Sequence, residues 1–153
     1  MNILVARIPE EGSNYEGVEP GSIMQVEEER FVKNPGDVHY ALYAQRVSDE
    51  LVVRGTLDVR LDVQCARCSE FFSTTVGVSD FLRAYPAPDG TDSVDITGDL
   101  REEILLHVPA FPVCSEACKG VCPRCGVDLN TAPCVCEEQE GPSPWTALDG
   151  LNL

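Results

Sequence analysis

The most regular stretch of the chain covers residues 51–63, where Leu51, Val53, Leu57, Val59, Leu61 and Val63 take odd positions and Arg54, Thr56, Asp58, Arg60 and Asp62 take even ones. Successive side chains of a strand point to opposite faces, so this alternation predicts a strand with one buried and one solvated face. Gly55 falls on the apolar side. A run this long is expected to bend or bulge there, as sheets do when they curl toward a barrel. Residues 70–85, rich in Phe, Thr and Val, read as the strand that pairs back antiparallel, which makes Cys65-Ala66-Arg67-Cys68 the tip of a hairpin. Residues 3–8, 23–28 and 39–47 are further strand candidates, the last two separated by the turn signal Asn34-Pro35-Gly36-Asp37. The acidic, Gly- and Pro-containing residues 9–21 and the segment 86–92 read as solvated loops.

One helix is expected over residues 99–108. Asp99 offers an N-cap with Glu102 three residues on, Leu100, Ile104, Leu105 and Val108 share a face, and Pro109 disfavours helical geometry just before it. These elements define an α+β fold class: a mainly antiparallel, curled or barrel-like β-sheet with one helix and a C-terminal zinc-ribbon-like module. The expected organisation is a β-rich domain with its helix over residues 1–108, a cysteine-rich zinc module over 109–138, and a tail over 139–153. Trp145, Leu148, Leu151 and Leu153 give that tail an apolar stripe expected to dock on the body of the chain or on a partner.

Between residues 113 and 136 the pattern breaks down: six cysteines fall within 24 residues and apolar side chains are too few to form a core. Such a segment needs metal to hold it, as in small zinc modules that are unfolded without the ion. Counting Cys65 and Cys68, eight cysteines form four close pairs: Cys65/Cys68, Cys114/Cys118, Cys122/Cys125 and Cys134/Cys136. Each pair can grip one metal from a single turn, so four pairs suit two tetrahedral sites. In Cys122-Pro123-Arg124-Cys125-Gly126 the glycine tolerates the positive φ of a metal knuckle whose sulfurs accept backbone N–H bonds.

One grouping joins Cys122/Cys125 to Cys134/Cys136 around a reversal at residues 126–130, and sets Cys65/Cys68 against Cys114/Cys118 as a clamp between hairpin and helix. The alternative joins Cys114/Cys118 to Cys122/Cys125, but its spacer of Lys119, Gly120 and Val121 is tight for tetrahedral closure, so the first grouping is the expected one. All-thiolate zinc has no open position for water or substrate, so the expected ions are two structural Zn2+. An iron–sulfur cluster is the main metal alternative. A thioredoxin-like role for Cys65 and Cys68 fits less well, because that motif opens a helix whereas this one caps a strand.

At 153 residues the chain can bury one real core without crosslinks. The opening MNILVARIPEEG lacks the basic start and long apolar run of a secretory signal, and no stretch reaches bilayer-spanning length. A cytoplasmic location is expected, where thiol buffers oppose disulfides. The net charge of −15 repels phosphate backbones at long range and favours basic partners, so any RNA contact must be local. His39 on a strand and His107 at a helix end mark no catalytic base, and no P-loop, nucleophile-elbow or H-E-x-x-H motif is present. A non-enzymatic role without a small-molecule substrate or membrane partner is expected.

Cys65-Ala66-Arg67-Cys68 after a long strand, then Asp99-Leu100, Glu102 to Leu106 and Pro109, then VCSEACKGVCPRCGVDLNTAPCVC over residues 113–136, resemble the YceD family of large ribosomal RNA subunit accumulation proteins. The resemblance is strongest over residues 65–136. Where the family usually carries Asp-Pro-Arg or Asn-Pro-Phe near its C-terminus, this chain has Ser143-Pro144-Trp145. The resemblance implies a factor supporting 23S ribosomal RNA accumulation and large-subunit biogenesis. Its expected partner is a large ribosomal subunit precursor, met through ribosomal protein and through local RNA contacts at groups such as Lys119 and Arg124. The alternative is an acidic chaperone or escort for a basic ribosomal protein.

Overall fold

The structure is a computed structural model that describes residues 1–27 and 29–136. In chain order its elements are β1 (Asn2–Leu4), β2 (Ser13–Glu19), β3 (Val32–Lys33), β4 (Val38–Val47), β5 (Glu50–Gln64), β6 (Phe71–Pro86), β7 (Ser93–Asp95) and the helix α1 (Thr97–His107), with 3-10 turns at Val5–Arg7 and Gly21–Met24. The alternating run becomes β5, the centre of a five-stranded antiparallel sheet. β6 pairs along the whole of β5, from Glu50↔Pro86 to Gln64↔Phe71. β4 and the short β3 share the other edge of β5, and β2 extends the sheet beyond β4. The turn at residues 34–37 joins β3 to β4 while Gly36 N still donates to Arg60 O at 2.7 Å, so the edge is interrupted without being lost.

The odd residues of β5 are buried from Leu51 and Val53 through Val63, with Gly55 the half-buried exception. The expected irregularity lies at Gly55, but the extra residue belongs to the partner strand. Pairing shifts from Gly55↔Phe81 to Leu57↔Val78, so Ser79 and Asp80 of β6 face Thr56 alone, while the ladder with β4 runs unbroken. Gly55 sits at φ +155°, and a Cβ there would collide with the Ala41 carbonyl oxygen. Only glycine fits this position.

The sheet is open: it does not close into a barrel, which corrects the barrel-like expectation. Its apolar face is covered instead by α1, which packs on β5 and β6 through the fully buried Leu100 and Ile104, with Ile3 of β1 and Ile96 completing the core. Once a helix and the β1–β7 ribbon bury that face, closure is not needed to remove it from water.

Local expectations changed in four places. Residues 13–19, read as loop, form β2; its odd positions are half-buried and Tyr15 packs on the core, but glutamates and Gly17 hide this in the sequence. Of residues 23–28, those described form the end of the 3-10 turn and irregular chain, not a strand: Gln25 turns into the left-handed region at φ 46°, and Arg101 Nε fixes Met24 O at 2.7 Å. Only Asn2–Leu4 of the first apolar segment is strand, after which Val5 N bonds Asp92 O at 2.9 Å and the chain coils.

The helix begins at Thr97, two residues early. Asp95 Oδ1 accepts from Thr97 N at 2.9 Å and Thr97 Oγ1 at 2.5 Å, so Asp99 lies in the first turn and is not the N-cap. The helix ends before Pro109 as expected, with Val108 already extended at ψ 126°. The proposed docking tail and its apolar stripe lie outside the described residues.

Candidate metal centres

The hairpin joining β5 to β6 carries Cys65 and Cys68 to the end of the sheet. Cys65 N donates to Glu70 O at 2.8 Å and Ser69 N to Cys65 O at 2.9 Å, closing a knuckle in place of an ordinary turn. The chain leaving α1 returns past it: Ala66 N donates to Pro112 O at 2.7 Å, which brings Cys114 and Cys118 against the knuckle. Cys65 Sγ lies 3.9 Å from Cys118 Sγ and Cys68 Sγ 3.8 Å from Cys114 Sγ. Cys65, Cys68 and Cys118 are buried, with Phe72 and Val113 packed against them, and Cys114 is exposed.

The second quartet is local. Cys122 N donates to Val127 O at 2.8 Å and Gly126 N to Cys122 O at 2.9 Å, with Gly126 at φ +75°, forming the knuckle expected from the motif. Cys134 Sγ stands 3.3 Å from Cys122 Sγ and 3.7 Å from Cys125 Sγ, and Cys136 completes the group. The structure thus brings together Cys65, Cys68, Cys114 and Cys118 in one place and Cys122, Cys125, Cys134 and Cys136 in another, with the sulfurs of each set within 4.8 Å of one another. The competing grouping of Cys114/Cys118 with Cys122/Cys125 does not form.

The donor sets fit a tetrahedral thiolate metal site. Arms of about 2.3 Å give sulfur–sulfur edges of about 3.8 Å, against about 2.05 Å in a disulfide. The measured separations of 3.3, 3.7, 3.8 and 3.9 Å belong to the first class, and all eight cysteines are free thiols. Backbone N–H groups already point at sulfur. Arg67 N and Cys114 N reach Cys65 Sγ at 3.4 and 3.5 Å, Arg124 N reaches Cys122 Sγ at 3.5 Å, and Cys136 N reaches Cys134 Sγ at 3.3 Å.

These donors divide the thiols. Burial pushes Cys65 up, but the N–H groups of Cys68, Cys114 and Arg67 outweigh it and bring the thiol down to about 6. The N–H groups of Cys125 and Arg124, with the Cys134 thiol, lower Cys122 to about 6 despite some burial. Their neighbours move the other way. Although the Glu70 backbone favours its thiolate, burial and the surrounding thiols raise Cys68 to about 12. The thiols of Cys134 and Cys125, then burial, raise Cys136 to about 12. Each quartet therefore holds one ready thiolate and resists gathering four negative charges, a repulsion that a divalent cation relieves while displacing protons.

Arg67 joins the two quartets to the sheet, a role not legible in the motif. Its Nη1 donates to Glu116 O and Cys118 O at 3.1 and 3.2 Å, while its own carbonyl accepts Val121 N at 3.0 Å. Gly120, at φ +74°, lets this contact form: a Cβ there would stand 2.9 Å from Arg67 O. Lys119 and Arg124, the expected RNA contacts, are both exposed. His107 ends α1 with Nδ1 2.9 Å from Glu103 O, and neither histidine joins a quartet. Among the described residues no helix is long and apolar enough to cross a membrane.

Residues 82–152 match the family described as large ribosomal RNA subunit accumulation protein YceD. Over these residues the chain is similar to the YceD family. Named relatives agree: the chloroplastic large ribosomal RNA subunit accumulation protein YCED homolog 1 of Arabidopsis thaliana is 31% identical over 65 residues, covering 42% of this chain and 20% of its own. Its counterpart in Zea mays is 38% identical over 63 residues, covering 39% and 21%. An uncharacterized protein of Mycobacterium tuberculosis is 36% identical over 121 residues, covering 70% of this chain and 58% of its own, so the chain spans little more than half of that relative. No solved structure matches. The YceD family is named for ribosomal RNA accumulation and not for a reaction. The span matched to it holds six of the eight cysteines; Cys65 and Cys68 lie upstream and join them through the fold.

Proposed function

We propose that this chain is a non-catalytic cytoplasmic factor that supports 23S ribosomal RNA accumulation by binding a large ribosomal subunit precursor. Its eight cysteines would hold two structural zinc ions, one in each quartet. The observation that carries the functional reading is the match of residues 82–152 to a family named for large-subunit ribosomal RNA accumulation. The metal reading rests on soft, all-sulfur donor sets with tetrahedral spacing, a chemistry that suits zinc and closes each ion to substrate. The described part of the expected module, residues 109–136, would then be held on the sheet by metal, with the exposed Lys119 and Arg124 as local RNA contacts.

Deleting the gene should lower the ratio of large- to small-subunit ribosomal RNA, and the purified chain should co-sediment with large-subunit precursors at low salt. An unchanged ratio together with no co-sedimentation would sink the reading. The charge of −15 favours a second reading, an acidic escort for a newly made basic ribosomal protein. Capture of the chain on RNA already stripped of protein, without any basic protein, would decide against that escort role.

A further inference from the structure

Asn130 reaches from the reversal of the second quartet to a sulfur of the first. Its Oδ1 accepts Lys119 N at 2.8 Å, and its Nδ2 donates to Asp128 Oδ1 at 2.7 Å and to Cys118 Sγ at 3.5 Å. A backbone N–H can only donate and an ionised carboxylate can only accept, so these two partners fix which way the amide points. The amide must present N–H to Cys118. Asp128 is itself fixed: its Oδ1 also accepts Asn130 N at 2.9 Å, and it pairs with Val121 across the ribbon. Leu129 N adds a bond to Gly120 O at 2.9 Å.

These residues lie in the reversal that the second quartet closes, between Cys125 and Cys134. Whatever holds those four sulfurs together also holds the Asn130 amide against Cys118. Hydrogen bonds to ligating atoms tune metal affinity by roughly 10- to 100-fold. We propose that Asn130 is a positioning residue that couples the two metal sites, so that metal in the ribbon quartet tightens metal binding by the quartet of Cys65, Cys68, Cys114 and Cys118. The proposal rests on the reading that both quartets bind metal. By linkage the coupling is reciprocal.

The test is cobalt titration of the full chain, followed through thiolate charge-transfer absorption, with zinc competition against a chelator giving the affinities. Cys125→Ser, which disables the ribbon quartet, should weaken the clamp quartet about 10-fold, and Asn130→Ala should weaken it by a similar factor. Because both act through one hydrogen bond, the double variant should be no weaker than the worse single one. Asn130→Asp keeps an acceptor for Lys119 N but turns a carboxylate toward Cys118, so it should weaken the clamp more than alanine and shift its charge-transfer band.

Unchanged clamp affinity in Cys125→Ser or Asn130→Asp, or losses that multiply in the double variant, would overturn the coupling. A wild-type chain that takes up no cobalt would instead overturn the metal reading beneath it.

Discussion

The sheet and the cysteine-rich segment are stabilised by different physics within one chain. The sheet buries an apolar face interrupted only at Gly55, from Leu51 and Val53 to Val63 on β5 with Val76, Val78 and Phe81 on β6, under α1. Among the described residues beyond 108 no aliphatic or aromatic side chain is fully buried: Phe111 is 83% exposed and Val135 93%, and Val113 packs only beside the first quartet. What organises that segment is hydrogen bonding to sulfur and carbonyl groups around two sets of thiols. The difference shows that alternation and cysteine spacing are separate signals, each sufficient for its own region. Cys65 and Cys68 belong to the sheet by backbone and to the first quartet by side chain, and Ala66 and Arg67 between them bond to the cysteine-rich segment.

Metal removal is the strongest way to break this comparison. Structural zinc contributes on the order of 10 kcal/mol or more at neutral pH. Stripping it should therefore abolish amide-exchange protection across residues 113–136 while β4, β5 and β6 stay protected. Metal analysis should return two ions per chain, with Cys65→Ser and Cys118→Ser losing the same one. Collapse of the sheet's protection together with that of the ribbon would show that the two regions fold as one unit.

Phe81→Ala tests the other side. Removing a fully buried ring of β6 from the core should cost about 3–5 kcal/mol in denaturant unfolding, with metal content unchanged. Gly55→Ala should cost about 2 kcal/mol or more by the same measurement, because a side chain at φ +155° is strained and meets the Ala41 carbonyl.

The smallest effect concerns Asp95. The Thr97 hydroxyl, then the Thr97 N–H, then the N-terminal charge hold its carboxyl below the usual range. A lowered folded pKa stabilises above the unfolded value of about 3.9, and the benefit disappears as pH falls through the folded value. The thermal midpoint of Asp95→Asn should therefore fall below wild type at pH 6, with the gap narrowing in acid. A gap independent of pH would remove the carboxylate's part in starting α1.

Legibility followed the size of each signal. The β5–β6 hairpin could be read because six apolar residues mark one face, and the end of α1 because Pro109 forbids continuation. β2 could not: an edge strand needs only half-burial, and Tyr15 alone supplies the apolar contact amid glutamates. The start of α1 was misplaced because Asp99 is a plausible cap by residue type, whereas the helix opens at Thr97 after Ile96, whose side chain makes no cap bond, with Thr97 held by the Asp95 carboxylate from outside the helix. Arg67 and Asn130 were unreadable as site residues, since each acts through partners on a different segment.

By itself the sequence determined the eight cysteines, their division into close pairs and the central hairpin, because each follows from spacing along a few neighbouring residues. Tertiary structure alone decided that the sheet stays open, and it brought Cys65 and Cys68 against Cys114 and Cys118, the grouping that the spacing had favoured. It also decided that an amide in one quartet faces a sulfur of the other. Those outcomes depend on how β5, β6 and α1 share one buried face, which no local pattern encodes.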